Sequence, residues 1–197
     1  MPTELPGAAD PPAAPPQVPR WALALPVLVV VAVTAGAVIM ITVGRSPQAV
    51  SVSAGVARVG GPAPNFSSWD LNGKKVSLAD FKGRPVLLTF WATWCTVCRE
   101  ELPALQRLQD RYQSTGFTIL AIDYRETDNR RLAQYLAGLQ VHLKPVIDPE
   151  GTIAGAYGVD IGLPVNVLVN RAGTVTQIII GAVPNASLEN AISRIVK

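Results

Sequence analysis

Residues 90–98 read Phe-Trp-Ala-Thr-Trp-Cys-Thr-Val-Cys, and they contain the only two cysteines of the 197-residue chain. The stretch begins inside an apolar, β-prone segment, 86–91, which predicts a buried strand. Apolar residues then recur at helical spacing, so we predict a helix from Cys95 to about residue 113. The two cysteines therefore lie where a strand passes into a helix, with Cys95 at the helix N-terminus.

A cysteine at a helix N-terminus is favoured as a nucleophile. The reactive form is the thiolate, and the unpaired N–H groups and partial positive charge of the first helical turn stabilise that anion. Cys98 lies one turn further along the same face and can close a small disulfide ring with Cys95. We assign to Cys95 the attack on a partner disulfide, and to Cys98 the resolution of the mixed disulfide that results.

Three other interpretations of the cysteine pair are disfavoured. A structural zinc site needs four ligands, and the chain offers no further cysteine and a single histidine, His142, so no metal site is predicted. Covalent haem attachment needs histidine directly after the second cysteine, where Arg99 stands. An inert structural disulfide would close too short a loop to stabilise the fold much.

The dipeptide between the cysteines, Thr96-Val97, carries neither charge nor imidazole. Each pKa unit of thiolate stabilisation corresponds to roughly 30 mV for a two-electron couple. Because only the helix N-terminus and Arg99 are available to stabilise the thiolate, we expect a reductant rather than a strong oxidant.

Residues 91–98 resemble the active-site signature of thioredoxin-like proteins, and Pro103 resembles the proline that kinks their active-site helix. More narrowly, the chain is similar to membrane-anchored thiol–disulfide oxidoreductases of the ResA/TlpA type, within the redoxin or AhpC/TSA-like family. The similarity runs from about residue 61 to the C-terminus and includes residues 63–66, 78–83 and 148–151.

The resemblance implies a function and its partners. Proteins of this type reduce disulfides of client proteins outside the cytoplasm, in cytochrome c maturation and related pathways, so apo-cytochrome c is one expected client. A membrane thiol donor would reduce the enzyme again. No cofactor is expected beyond the redox-active Cys95–Cys98 disulfide.

The resemblance also implies a substrate-binding surface. Pro164 opens a predicted strand, where a proline is unremarkable, but thioredoxin-like proteins place a cis proline against the two cysteines. By that resemblance Leu163 and Pro164 hold the substrate strand. Trp94, together with Thr96 and Val97, would shape the surface that the partner meets.

Glu101 has two interpretations. As a first-turn acid it would complement the helix dipole in solvent, a role that Glu100 also fits. Alternatively it is a buried carboxylate with a raised pKa that relays the proton of Cys98. The resemblance favours this interpretation, because a glutamate at this spacing tunes the active site in ResA-type proteins. Thioredoxin itself has a buried aspartate in the preceding strand, but the matching position here is Thr89, which makes Glu101 the remaining candidate.

The rest of the domain alternates strands with helices and then ends in a hairpin and a helix. The pattern predicts an α/β fold with a central mixed sheet flanked by helices and an N-terminal hairpin at Asn72-Gly73. It agrees with the thioredoxin-like fold that the resemblance implies, carrying a βα insertion. We predict further strands at 117–124, 146–148, 166–170 and 174–181, helices at 128–139 and 186–196, and a turn or short helix at 152–157.

Four segments are predicted along the chain. Residues 1–20 hold seven prolines and predict a disordered tail. Residues 21–43 contain no charge and are long enough to span a ~30 Å hydrocarbon core, so we predict one transmembrane helix rather than a cleaved signal. Residues 44–60 are predicted to be a linker, and 61–197 the thioredoxin-like domain.

Charge gives little information on orientation or partners. Arg20 precedes the apolar segment while Arg45 and Arg58 follow it. The positive-inside rule therefore slightly favours the orientation opposite to the one that the resemblance implies. The resemblance implies a single-pass cell-membrane protein with its catalytic domain outside the cytoplasm. The sequence contains no Lys/Arg cluster of the kind that would indicate nucleic-acid binding.

Two other function classes remain open. A peroxiredoxin-like thiol peroxidase shares parts of the pattern, but the Pro and Thr of its Pro-x-x-x-Thr-x-x-Cys motif correspond to Leu88 and Ala92. A non-catalytic module that grips peptides would keep the fold and the surface, and loss of activity on replacing Cys95 would exclude it.

Overall fold

The computed structural model describes residues 49–160 and 162–197. The predicted tail, the predicted transmembrane helix and residues 44–48 of the predicted linker lie outside these ranges. Within them, no helix combines the length and the apolar character that crossing a bilayer requires.

A small antiparallel sheet forms the N-terminal part of the described chain. It consists of β1 (Ser51–Val52), β2 (Phe66–Trp69) and β3 (Lys75–Ser77), in that order. The turn between β2 and β3 is closed by Asp70, whose Oδ1 accepts the backbone N–H groups of Asn72 and Lys74 at 2.9 Å each. Gly73 has φ = 76°, which glycine adopts without a steric penalty. The hairpin predicted at Asn72-Gly73 is confirmed.

The described part of the predicted linker 44–60 is bound to the domain. β1 pairs with β2 along residues 66–67. Further on, the Ala57 N–H donates to the carbonyl of Ala156, and the Gly60 N–H to that of Val175, at 2.8 Å each. A two-residue strand has no periodicity that a sequence could display, and it forms because a partner strand edge is available.

The main sheet has five strands in the order β6-β5-β4-β7-β8. The pairs β4–β5 and β5–β6 are parallel, whereas β4–β7 and β7–β8 are antiparallel, so the predicted mixed sheet is confirmed. The strands are β4 (Val86–Trp91), β5 (Thr118–Tyr124), β6 (Lys144–Asp148), β7 (Val165–Val169) and β8 (Val175–Ile180).

Helices connect these strands. The α-helices are α1 (Thr96–Tyr112), α2 (Asn129–Gly138), α3 (Thr152–Ala156) and α4 (Asn185–Val196), with short 3-10 helices at Leu78–Phe81 and Gln113–Thr115. The segment α2–β6 extends the sheet beyond β5, as expected of the βα insertion.

Both faces of the main sheet are covered. One face packs against α1, α2 and α4 through residues such as Leu105, Leu136 and Ile192, while the other packs against β2, β3 and α3 through residues such as Phe66 and Ile153. All six residues of β4 are buried in consequence, which explains its continuous apolar sequence. Because β4 and β5 are parallel, their carboxyl ends meet at one edge, where Cys95 follows β4.

Candidate active site

Cys95 and Cys98 lie at the start of α1 and form a disulfide, with their Cα atoms 5.3 Å apart. Cys95 is the N-cap residue of α1, and its Sγ accepts the backbone N–H of Cys98 at 3.1 Å. A sulfur in this position lies against the donor groups of the first helical turn, which favour its thiolate form. The predicted strand–cysteine–helix arrangement is therefore present.

The two sulfurs are not equally accessible. Cys95 is 7% exposed and Cys98 1%, so an attacking partner reaches Cys95 first. Trp94 is 64% exposed beside it, and Val97 is 39% exposed in the first turn of α1. Thr96 is exposed as well. The surface around Cys95 is thus apolar and open, which suits contact with another protein.

Leu163 and Pro164 lie next to the same end of the sheet. The peptide bond between them is cis, as the sequence analysis expected. Val165 pairs with Phe90, so Pro164 lies beside the carboxyl end of β4, immediately before the loop that leads to Cys95. Pro164 is buried and Leu163 is half-buried.

Glu101 is buried on the inner face of α1, with 9% of its surface exposed. Its Oε1 accepts a hydrogen bond from Asn166 Nδ2 at 3.0 Å. Burial raises the pKa of Glu101 above its ordinary value, and the hydrogen bond from Asn166 opposes part of that rise. Of the two interpretations of Glu101, the buried carboxyl group fits this environment, whereas its neighbour Glu100 is the exposed one.

Asn166 is a part of the site that the sequence analysis missed. It lies in β7 directly opposite Thr89 of β4, the position where thioredoxin has an aspartate. Both side chains are buried, and Thr89 Oγ1 and Asn166 Oδ1 have no hydrogen-bond partner among the described residues. A signal was available, because Asn166 is the one polar residue in the strand Val-Asn-Val-Leu-Val.

Glu126 and Thr93 were also missed. The loop from β4 to Cys95 is held by Glu126, which accepts the Thr93 backbone N–H at Oε2 (2.7 Å) and the Thr93 hydroxyl at Oε1 (2.5 Å). Next to Glu126 lies Asp123, a carboxyl group that is only 1% exposed. Its position within an otherwise apolar strand, Thr-Ile-Leu-Ala-Ile-Asp-Tyr, was a sequence signal for a special role.

A groove of about 280 Å³ lies against the helix face that carries Glu101. Its lining includes Val97 and Glu100 from α1 and Val183 and Pro184 from the segment before α4. An apolar pocket lined in part by Val86 and by the last residue of β7 lies at the opposite end of β4, away from the cysteines.

Among the described residues, the His142 side chain forms no hydrogen bond with the residues of this site. His142 is exposed, and its backbone N–H donates to Gln106 Oε1 at 2.6 Å. In ranges 49–160 and 162–197 no three His, Cys, Asp or Glu side chains are grouped so as to hold a metal ion.

Comparison with known proteins gives a consistent result. Residues 59–178 match the AhpC/TSA family. The chain is 39% identical over 137 residues to the thiol-disulfide oxidoreductase ResA of Bacillus thuringiensis subsp. konkukian (strain 97-27), covering 70% of this chain and 78% of that protein. With the ResA of Bacillus subtilis (strain 168) it is 31% identical over 131 residues, covering 66% and 72%.

Solved structures are similar too. The crystal structure of a putative thiol:disulfide interchange protein DsbE from Chlorobium tepidum superposes with a TM-score of 0.67 at 30% identity. The superposition covers 72% of this chain and 99% of that one.

Proposed function

Because the chain belongs to the AhpC/TSA family and is a thiol–disulfide oxidoreductase similar to ResA, we propose that it reduces disulfides of other proteins outside the cytoplasm. The observation that carries this proposal is the position of Cys95. Its Sγ accepts the Cys98 N–H at the N-terminus of α1, beside the exposed Trp94.

The reaction begins with the reduced enzyme. The Cys95 thiolate attacks one sulfur of the client disulfide, an S–S bond forms between them, and the other client sulfur leaves as a thiolate that takes a proton from water. Cys98 then gives up its proton and attacks Cys95 Sγ, which releases the second client sulfur. Two electrons pass to the client, and the Cys95–Cys98 disulfide is left.

Glu101 is proposed to accept the proton of Cys98 during the second step. A general base works best when its proton affinity approaches that of the group it deprotonates. Burial moves the pKa of Glu101 in that direction. Because Glu101 lies one helical turn beyond Cys98, it is in reach of the thiol directly or through a water molecule.

The client is proposed to bind across the apolar surface beside Cys95. Trp94, Thr96 and Val97 are exposed there, and Leu163 and Pro164 lie at the same end of the sheet. Apo-cytochrome c is the proposed client, with a membrane thiol donor as the source of electrons. Residues 21–43 would anchor the protein in the cell membrane.

The reduction potential tests the direction of electron flow. The full-length chain in detergent is equilibrated with glutathione buffers, and the thiol content is measured with Cys95→Ser as control. We expect a potential below about −220 mV, which suits a reductant fed by a membrane donor. A potential above about −150 mV would make the protein an oxidant or an isomerase.

Activity on a client tests the substrate class. Oxidised apo-cytochrome c is mixed with the reduced enzyme, and the formation of free thiols is followed; Cys98→Ser should accumulate a mixed disulfide with the client. If Cys95→Ser binds the client as tightly as the wild type and supports the same rate, the protein is a binding module and not an enzyme.

A thiol peroxidase is the second candidate. The sequence analysis left a peroxiredoxin-like activity open. Leu88 and Ala92, which correspond to the Pro and Thr of the peroxidase motif, are both fully buried, and neither offers a hydroxyl group. We therefore expect hydrogen peroxide to oxidise Cys95 far more slowly than a protein disulfide does.

A further inference from the structure

The loop that carries Cys95 is fixed from the side of β5. Thr93 stands two residues before Cys95, and both its backbone N–H and its hydroxyl donate to the Glu126 carboxylate. The two residues are 33 positions apart in the chain. The hydrogen bonds of Cys95 itself are local: its N–H donates to the Ala92 carbonyl at 3.1 Å, and its Sγ and carbonyl accept N–H groups of the first turn of α1. Among the described residues, Glu126 therefore ties this loop to a distant part of the chain.

Asp123 lies behind Glu126, at the carboxyl end of β5. It pairs in register with Trp91, the last residue of β4, and is 1% exposed. Neither of its carboxyl oxygens accepts a well-formed hydrogen bond from the described residues. A buried carboxylate whose one nearby donor among the described residues is the Glu126 backbone N–H is costly, whereas a protonated carboxyl group can donate its proton to a neighbouring acceptor. Glu126 is that neighbour.

The surroundings favour one shared proton. Burial first, and then the side-chain hydrogen bond and the negative charge of Glu126, raise the pKa of Asp123 to about 8, with a further rise from Asp148 of β6. The backbone N–H of Glu126 opposes part of this rise. Tyr135 of α2 lies within electrostatic range of Glu126 and also of Arg99 of α1. Of these groups only Arg99 is a cation, and it is exposed, so it offsets little of the repulsion between two adjacent carboxylates.

We propose that Asp123 and Glu126 are positioning residues for the redox loop, acting as a carboxyl pair that holds one proton and fixes Cys95 through Thr93. While the pair keeps its proton, neutral Asp123 donates to Glu126, and ionised Glu126 accepts both donors of Thr93. When the proton leaves, two negative charges lie side by side. Their repulsion weakens the hydrogen bonds to Thr93, and their charge disfavours the thiolate form of Cys95. As the pH rises, the reactivity of Cys95 therefore increases less than that of a simple thiol.

The proposal rests on the proposed dithiol chemistry for its biological meaning, but its test does not need a client protein. In full-length Cys98→Ser protein, Cys95 is the only thiol. The rate of its alkylation by iodoacetamide is measured from pH 5 to pH 10. A failure to reduce clients would leave this profile unchanged, so the two proposals fail separately.

Asp123→Asn is the decisive variant. The asparagine amide still donates to Glu126 but cannot ionise. We expect the parent profile to show two ionisations, one from Cys95 and one from the pair, and the variant to follow a single ionisation with the apparent pKa of Cys95 lower by about one unit. That shift is about tenfold in thiolate fraction on the rising limb. Asp110→Asn, which removes an exposed acid of α1, is the matched control.

A spectroscopic readout identifies the proton directly. The infrared C=O stretch of a protonated carboxyl group should be present at neutral pH in the parent protein, disappear above about pH 8, and be absent from Asp123→Asn. Identical alkylation profiles in the parent and Asp123→Asn, or a carboxyl band missing at neutral pH, would overturn the proposal.

Glu126 variants separate positioning from folding. In Glu126→Gln, the amide oxygen can accept the Thr93 N–H and the amide nitrogen can donate to Thr93 Oγ1, so alkylation at neutral pH should stay within about twofold of the parent. The ionisation of Asp123 should move to lower pH, because the like charge is gone. Glu126→Ala should slow alkylation at every pH. Equal profiles in Glu126→Gln and Glu126→Ala would exclude the positioning role.

Discussion

Two buried carboxyl groups flank β4 on the face that packs against α1, and they differ in their neighbours. Glu101 receives a hydrogen bond from the neutral amide of Asn166 on the β7 side, while Asp123 faces the carboxylate of Glu126 on the β5 side. Burial raises the pKa of both, but the neighbour of Glu101 lowers its pKa and the neighbour of Asp123 raises it. Burial is the largest cause of the raised pKa in both groups; the side chain beside Asp123 adds to that rise, whereas the amide beside Glu101 opposes it.

The largest expected effect is on stability at alkaline pH. Unfolded Asp123 ionises near pH 3.8 and folded Asp123 near pH 8, so its neutral form favours the native state fully below pH 3.8. As the pH rises to about 8, this contribution is lost at up to about 1.4 kcal/mol per unit. Asp123→Asn should therefore be more stable than the wild type by several kcal/mol at pH 8 and not at pH 4.

Urea unfolding at both pH values measures this difference. The control is Asp110→Asn, whose curve should follow the wild type at each pH. A wild-type free energy of unfolding that is unchanged between pH 5 and pH 8 would contradict the predicted protonation of Asp123.

The second largest expected effect is slower client release by the Glu101→Gln variant. If Glu101 accepts the proton of Cys98, its loss should slow the resolution of the mixed disulfide by about 10²-fold, at the lower end of general acid–base effects. Glu100→Gln is the matched control, since it removes an exposed acid one residue away on the same helix. Stopped-flow kinetics of client release separate this step from the attack by Cys95, and equal rates for the two variants would refute the relay.

Asn166→Leu should sharpen the comparison further. It removes the donor that opposes the effect of burial, so the pKa of Glu101 should rise further. The midpoint of the pH–rate profile for client release should move to higher pH. Thr89→Val, which changes the residue opposite Asn166 but leaves the donor in place, should leave the midpoint where it is.

The smallest expected effect concerns Thr93. Thr93→Val removes the hydroxyl donor to Glu126 but keeps the backbone N–H, so one hydrogen bond to a charged group is lost. Client reduction should slow by roughly tenfold, in line with about 1.5 kcal/mol, the lower end for a hydrogen bond to a charged group. Thr93→Ser should retain the wild-type rate in the same assay. If the serine variant is as slow as the valine variant, the hydroxyl contact is not what positions the loop.

Much of the site could be predicted because its residues are close in sequence. Cys95, Cys98 and Glu101 lie at successive helical turns, so spacing alone places them on one face of α1. Pro164 could be assigned through its resemblance to a family. The contacts of Asn166 and Glu126 could not be predicted in this way. Asn166 lies 65 residues from Glu101, and Glu126 lies 33 residues from Thr93. Such contacts exist only once β7 and β5 have paired with β4.

The sequence by itself determined the dithiol at a helix N-terminus, the mixed sheet with its βα insertion, and the membership of a family of thiol–disulfide oxidoreductases. The position of the dithiol and the mixed sheet follow from local spacing and hydrophobic periodicity, while the family and its βα insertion follow from the resemblance of segments such as residues 91–98. Only the tertiary structure decided which carboxyl groups are buried and what each one faces, and that the segment at residues 51–52 is a strand. The reason is physical: desolvation and electrostatic interaction depend on distances in space, which strand pairing sets and sequence spacing does not.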